Sequence, residues 1–226
     1  MGTSQESGVH GGSPARHIVW DWNSTLFHDI DAVMAATNDS FAAYGLPPIT
    51  LERYRELYTV PVPRFYEKIT GRVPEPQEWA MLDATFQRSY ARHAVACALT
   101  PGVDDLLAGW LAAGRTQSLL SLTAHDDLMP FVDRFAIADM FLRVDGRIGP
   151  PGGGKAEHLA RHLKALDADP AGVVVIGDAA DDAYAARELG ASAVLYTGGS
   201  HSRTSLERVG VPVVDTLAEA VALAAG

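Results

Sequence analysis

KAEHLARHLKALDADPAGVVVIGDAADDAYAARELGASAVLY, residues 155–196, carries two interleaved patterns. A helix is predicted from Lys155 to Ala165, then an unbroken β-branched run, Val173-Val174-Val175-Ile176. A helix from Asp182 to Leu189 follows, and then a second apolar run, Ala193-Val194-Leu195-Tyr196. Apolar runs without polar alternation suit strands buried on both faces, and strands separated by helices suit a parallel sheet. The stretch therefore predicts an α/β fold, a doubly wound, Rossmann-like parallel sheet with helices on both faces.

The alternation extends outward. Upstream lie a helix from about Val103 to Ala113, a strand Gln117-Ser118-Leu119-Leu120, a helix near Leu128 to Phe135 and a strand Phe141-Leu142-Arg143-Val144; downstream a last helix starts at Leu217. A first strand is expected at His17 to Asp21. Residues 29–98 differ: Val33, Ala36, Phe41 and Tyr44 recur at helical spacing before Gly45, and Trp79, Leu82, Phe86 and Tyr90 mark a longer helix. Pro47-Pro48 and Pro61-Val62-Pro63 divide this block into about four short helices. The expected organisation is a Gly/Ser-rich disordered leader at residues 1–15, an α/β core made of 16–28 and 99–226, and an all-helical insertion at 29–98.

Composition narrows the function. The 226 residues carry 18 basic and 28 acidic side chains, a net charge of -10, which excludes the basic footprint of a nucleic-acid binder. No apolar stretch approaches the ~18 residues of a membrane span, and no secretion signal precedes the first strand, so a cytoplasmic protein without a membrane partner is expected. Cys97 is the single cysteine and reads as a small core residue.

In a doubly wound sheet, ligands bind beyond the carboxyl ends of the strands, where the strand order reverses. The predicted strand ends carry Asp21, Ser121 and the cluster Gly177-Asp178-Ala179-Ala180-Asp181-Asp182, and Lys155 starts a helix beside them. A carboxylate can attack a phosphate dianion only when a cation screens the repulsion, and Mg²⁺ prefers oxygen ligands such as Asp21 and Asp178. The Ser121 hydroxyl and the Lys155 ammonium suit phosphoryl oxygens. The chemistry indicated is phosphoryl transfer to Asp21, followed by hydrolysis of an aspartyl phosphate.

The segments DWNSTL, LLSLTAHDDLMPFVDRFAIADMF, GKAEHL and VVVIGDAADDAYAARELG resemble, in order and spacing, the four motifs of haloacid-dehalogenase-superfamily hydrolases, most closely the phosphoglycolate-phosphatase-like branch. The resemblance implies Asp21 as nucleophile, Thr25 as its support, and Ser121 and Lys155 as phosphoryl binders. It implies metal held by Asp21, Asp178, Asp182 and the main-chain carbonyl of Asn23, and a cap, residues 29–98, closing over a small phosphorylated metabolite.

Three residues depart from the pattern. Asn23 stands where these phosphatases usually carry an acid/base aspartate, and its amide neither gains nor loses a proton near neutral pH. Ser24 replaces a usual glycine, and Leu122 a frequent asparagine, leaving Thr123 as a lesser substitute. His28 is the nearest alternative proton donor. The readings that remain open are a phosphatase with a good leaving group, a slow or phosphotransferring one, a phospho-ligand binder, and a phosphonatase-type member using Lys68. Gly149 to Ala156 nearly spells a nucleotide-binding P-loop, but Ala156 lacks the required hydroxyl and two prolines remove N–H donors. Asp181 reads as solvent-facing, and Arg53, Arg55, Arg64, Lys68 and Arg72 as a solvated helix face.

Overall fold

The computed structural model of the protein describes residues 15–149 and 154–226. The expected leader, apart from Ala15, and residues 150–153 of the P-loop-like segment lie outside the described residues. In chain order the elements are β1 (His17–Trp20), β2 (Phe27–His28), α1 (Ile30–Ala43), α2 (Leu51–Leu57), α3 (Val62–Thr70), α4 (Pro76–Ala94), β3 (Ala98–Leu99), α5 (Val103–Ala112) and β4 (Thr116–Ala124). They continue with α6 (His125–Arg134), β5 (Val144–Arg147), α7 (Lys155–Ala165), β6 (Val173–Gly177), α8 (Ala180–Leu189), β7 (Ser192–Tyr196), α9 (Arg203–Glu207), β8 (Val213–Val214) and α10 (Leu217–Ala225).

Six strands form one sheet in the order β5-β4-β1-β6-β7-β8, and every pairing is parallel. The order reverses at β1, whose neighbours come from opposite windings, so the ligand crevice is expected beyond its carboxyl end. Strand alternation divides the core in two. Ile18, Trp20, Leu119, Val174 and Ile176 pack with Leu107, Leu128 and Ala220 of α5, α6 and α10, whereas Val19, Leu120, Val173 and Val175 pack with Leu159, Ala183 and Leu206 of α7, α8 and α9. Each fully buried aliphatic side chain contributes roughly 1.5–3 kcal/mol relative to exposure, which is why the central strands are mostly apolar on both faces.

Helices α1 to α4 gather around a separate cluster, Phe41, Tyr54, Phe65, Tyr66 and Leu82. The chain leaves and rejoins the sheet through a two-stranded antiparallel ribbon, with Phe27 opposite Leu99 and His28 opposite Ala98. Four helices were expected in this block and four are present. The ribbon was not expected, because two residues per strand carry no periodicity.

Other boundaries moved. The strand expected at Phe141–Val144 lies at Val144–Arg147. Phe141 is buried in the core after a 3-10 turn, Leu142 is exposed, and the polar Asp145-Gly146-Arg147 completes an edge strand invisible to apolar patterning. Strand β4 runs past Ser121 to Ala124, with its pairing to β5 interrupted between Leu120 and Ala124. Helix α9 and strand β8 are short additions at the far edge.

A polar network crosses the sheet inside the core. His162 Nδ1 lies 2.8 Å from the Asp145 carboxylate, and His162 Nε2 lies 2.7 Å from Ser118 Oγ. His17 Nε2 is also 2.7 Å from Ser118 Oγ, and His17 Nδ1 is 2.8 Å from Thr116 Oγ1. The carboxylate requires Nδ1–H on His162, so Ser118 donates to His162 Nε2, His17 donates to Ser118, and Thr116 donates to His17. Both imidazoles are thus neutral. Burial, reinforced by His162, holds the His17 pKa down to about 4 from 6.5, and burial lowers that of His162 despite the opposing pull of Asp145. Arg143, 2.5 Å from Asp145, supplies the charge that faces this carboxylate.

Between pH 6.5 and about 4 the unfolded chain binds a proton that folded His17 refuses, so this contribution is complete above pH 6.5 and is lost as the pH falls. The urea midpoint is expected to drop between pH 7 and pH 5, and the drop to shrink in His17→Gln. Equal drops in the two proteins would remove the histidine from the account.

Candidate active site

Strand β1 delivers Asp21 to the switch point, where its N–H donates to Ile176 O at 2.9 Å and so continues the ladder for one residue. Asp178 follows β6, Asp182 lies in the first turn of α8, and Lys155 is the first residue of α7. All four side chains are buried. Carboxylate oxygens of Asp21, Asp178 and Asp182 lie within 4.8 Å of one another. The Lys155 ammonium is ion-paired to both Asp21 and Asp182. A lysine at a helix start opposes the helix dipole; these two anions are its compensation.

Burial works against the Lys155 charge, yet Asp182 and Asp21 hold its pKa well above the ordinary lysine value. One ammonium cannot balance three carboxylates. Burial, followed by repulsion from Asp21 and Asp182, pushes Asp178 far up, and burial also raises Asp21 and Asp182 against the pull of Lys155. Asp182 Oδ1, fully enclosed, has no hydrogen bond beyond that ion pair. An all-oxygen, net-negative, buried donor set fits a small hard divalent cation.

Two glycines permit this approach. A Cβ on Gly177 would stand 2.1 Å from Asp182 Oδ2, and one on Gly199 would stand 1.9 Å from Asp178 Oδ2. The neighbouring Ser200 N–H donates to Asp178 Oδ2 at 2.8 Å.

Thr25 is fully buried and its hydroxyl donates to Asp21 Oδ2 at 3.3 Å. With Trp20 opposite Leu119, Ser121 lies one residue beyond the level of Asp21 on the adjacent strand. Its Oγ accepts from Thr123 N–H at 3.0 Å, which leaves the hydroxyl proton to be donated elsewhere. The Thr123 hydroxyl donates to Asn23 Oδ1 at 2.6 Å, so it is not the substitute phosphoryl donor.

Asn23 is immobilised. Its Nδ2 donates to Asp29 Oδ2 and to Tyr90 Oη, each at 2.8 Å, so every polar atom of the amide is engaged. Asp29 is fully buried and accepts four bonds: from Asn23, from Tyr90 Oη at 2.5 Å, and from Ser24 N and Oγ at 2.7 and 2.9 Å. Ser24 does adopt a left-handed φ of 57°, normally a glycine conformation, and the two bonds to Asp29 offset its strain. His28 sits exposed on the ribbon with its ring outside this network.

Sequence reasoning missed Asp29, Tyr90 and Arg55. Arg55 does not lie on a solvated face: its guanidinium donates to Gly199 O at 2.8 Å and Gly198 O at 2.9 Å, and Arg55 O accepts from Ser202 N–H at 3.1 Å. Helix α2 is thereby fastened to the loop that holds Asp178. Arg53, Arg64 and Arg72 make exposed ion pairs with Glu56, Glu67 and Glu78, as expected of a solvated face. Asp181, Lys68, Tyr58 and His201 line a cleft of about 1100 Å³ between α2, α3 and α8, α9. A smaller cavity of about 200 Å³, near Arg16 and His17, opens at the opposite end of the sheet. Cys97 packs against the core, and burial raises its thiol pKa. Among the described residues no helix is long and apolar enough to cross a membrane.

Comparison with known proteins adds an independent line. A family model described as HAD-hydrolase-like matches residues 153–220. The phosphoglycolate phosphatase of Synechococcus elongatus is 30% identical over 189 residues, covering 84% of this chain and 87% of that protein. A solved haloacid dehalogenase-like hydrolase from Streptococcus pneumoniae superposes with a TM-score of 0.78 at 18% identity, covering 92% of this chain and 97% of its own. A structure from Lactobacillus delbrueckii subsp. bulgaricus, provisionally named a phosphoglycolate phosphatase, gives 0.81 at 18% identity over 95% and 100% of the two chains.

Gly199→Ala is expected to displace Asp178 and lower stability by about 1–3 kcal/mol, the usual cost of overpacking. Gly109→Ala, in mid-helix with nothing within 4 Å of the added carbon, should be neutral or stabilising. Thermal melts of the two variants beside the parent protein test both.

Proposed function

We propose the following activity for a chain that belongs to the haloacid-dehalogenase-like hydrolases, in their phosphoglycolate-phosphatase-like branch. It is a Mg²⁺-dependent cytoplasmic phosphatase that hydrolyses a small phosphorylated metabolite through an aspartyl phosphate on Asp21. The observation that carries this reading is the clustering of three buried carboxylates, Asp21, Asp178 and Asp182, two of them ion-paired to Lys155, at the sheet's switch point.

Asp21, Asp178, Asp182 and the Asn23 main-chain carbonyl are the residues that would hold the cation. The Asn23 side-chain oxygen is already taken by Thr123. Bound there, Mg²⁺ supplies the positive charge that lets an anionic nucleophile approach a phosphate dianion. The chain's own groups do the rest. Thr25 orients the Asp21 carboxylate through its hydroxyl. The free Ser121 proton and the Lys155 ammonium hold phosphoryl oxygens as charge redistributes in the transition state. Lys155 is steadied by Asp182, which makes Asp182 as much an anchor for the lysine as a ligand. Residues 29–98 act as a cap over the crevice, with the ribbon of β2 and β3 as the hinge.

Phosphate release from a panel of phosphorylated metabolites with Mg²⁺ tests the reading. Asp21→Asn is expected to abolish release, and chelation of the metal to do the same reversibly. Full activity in Asp21→Asn would refute the nucleophile, and full activity under chelation would refute the metal.

A further inference from the structure

We infer that the substrate carries its phosphoryl group on a leaving group that departs as a stable anion: an acyl phosphate, a phosphoanhydride, or an enol or aryl phosphate. An alkyl phosphate ester does not fit. The inference rests on the phosphatase reading above and names its substrate class.

Breaking a P–O bond to an alkoxide needs a proton delivered to the leaving oxygen, and a positioned acid is worth typically 10²–10⁴ in rate. The position two residues after the nucleophile holds Asn23, which has no proton to transfer. Nor is its amide free to stabilise a departing oxygen by hydrogen bonding. Both Nδ2 hydrogens go to Asp29 and Tyr90, and Oδ1 accepts from Thr123.

The neighbours cannot take over the task. Asp29 already accepts four hydrogen bonds, one of them from the Tyr90 hydroxyl, whose proton is thereby used. Lys155 is shared between Asp21 and Asp182, the Thr123 proton is used on Asn23, and His28 is exposed on the hinge ribbon. Asp181 and His201 face the cleft on the side of α8 and α9, whereas the Asn23 position is built from the β1 turn, Thr123 and α4.

The balanced steps require no acid. Asp21 attacks phosphorus, the bond from phosphorus to the leaving oxygen breaks, and its electron pair stays on that oxygen as carboxylate, phosphate, enolate or phenolate. Water then attacks the aspartyl phosphate, the Asp21 carboxylate departs with its pair, and the products are hydrogen phosphate and one proton released to solvent. The phosphoenzyme is itself an acyl phosphate, so the second step also expels a carboxylate that needs no protonation.

Because kcat/KM reports formation of the phosphoenzyme, it isolates the leaving-group step from hydrolysis. It should be measured with Mg²⁺ for acetyl phosphate, pyrophosphate, phenyl phosphates from nitrophenyl to unsubstituted phenyl, and glycerol 1-phosphate. The wild-type protein is expected to show a steep leaving-group dependence, with glycerol 1-phosphate at least ~10²-fold below acetyl phosphate or nitrophenyl phosphate. The acetyl phosphate and pyrophosphate arms separate acyl from anhydride substrates. Asn23→Asp, if folded, should raise the poor leaving groups at least tenfold relative to the good ones and flatten the dependence. A flat wild-type dependence, or an alkyl ester cleaved as fast as acetyl phosphate, overturns this inference alone. Silence toward every probe overturns the phosphatase reading and this inference with it.

Discussion

Three carboxylates buried around one ammonium set the terms on which this molecule is built. Asp21, Asp178 and Asp182 come from two strand ends and a helix start, and Lys155 from a second helix, so the ion pairs tie β1, α7 and α8 to one point, with Asp178 beside it after β6. Removing one partner of a buried pair leaves an uncompensated charge, which typically costs 3–5 kcal/mol. The same surplus of negative charge suits the cluster to a divalent cation. Stability and chemistry therefore draw on one set of groups.

A second polar assembly lies beside the first and is complete in its hydrogen bonds. Asn23, Ser24, Asp29, Tyr90 and Thr123 satisfy one another across the β1 turn, the hinge, α4 and the segment after Ser121. An aspartate at position 23 would meet the Asp29 carboxylate, whereas an asparagine amide donates to it. The asparagine is thus consistent with its surroundings, and the chemistry follows the substitution. Arg55 makes a further link: by gripping the carbonyls of Gly198 and Gly199 it connects the helical insertion to the loop whose Ser200 N–H holds Asp178. The helical insertion and Asp178 thus share a short covalent and hydrogen-bonded path.

Most of the fold was legible because its signals are local. The runs at Val173–Ile176 and Ala193–Tyr196 are apolar without alternation, and a strand covered on both faces requires that. Helix α7 starts at Lys155 and ends at Ala165, where expected. The misplaced strand β5 shows the limit: Asp145, Gly146 and Arg147 form an edge strand through backbone bonding, which side-chain polarity does not announce. The ribbon at Phe27–His28 and Ala98–Leu99 pairs residues some seventy positions apart. Asp21, Ser121, Lys155 and Asp178 could be singled out because each stands at or near an element end on the expected side of the sheet.

By itself, then, the sequence determined the doubly wound sheet, the helical insertion after the first strand, and the residue types available for phosphoryl chemistry, since periodicity and composition are properties of neighbouring residues. Only the tertiary structure decided what those residues do with one another. Lys155 is ion-paired to two of three carboxylates, Asn23 is bound on every polar atom, and Arg55, one of several similar arginines in its helices, reaches the loop after β7. The physical reason is that charge balance and hydrogen-bond saturation depend on separations of a few ångströms between groups up to 144 residues apart, and no local pattern encodes them.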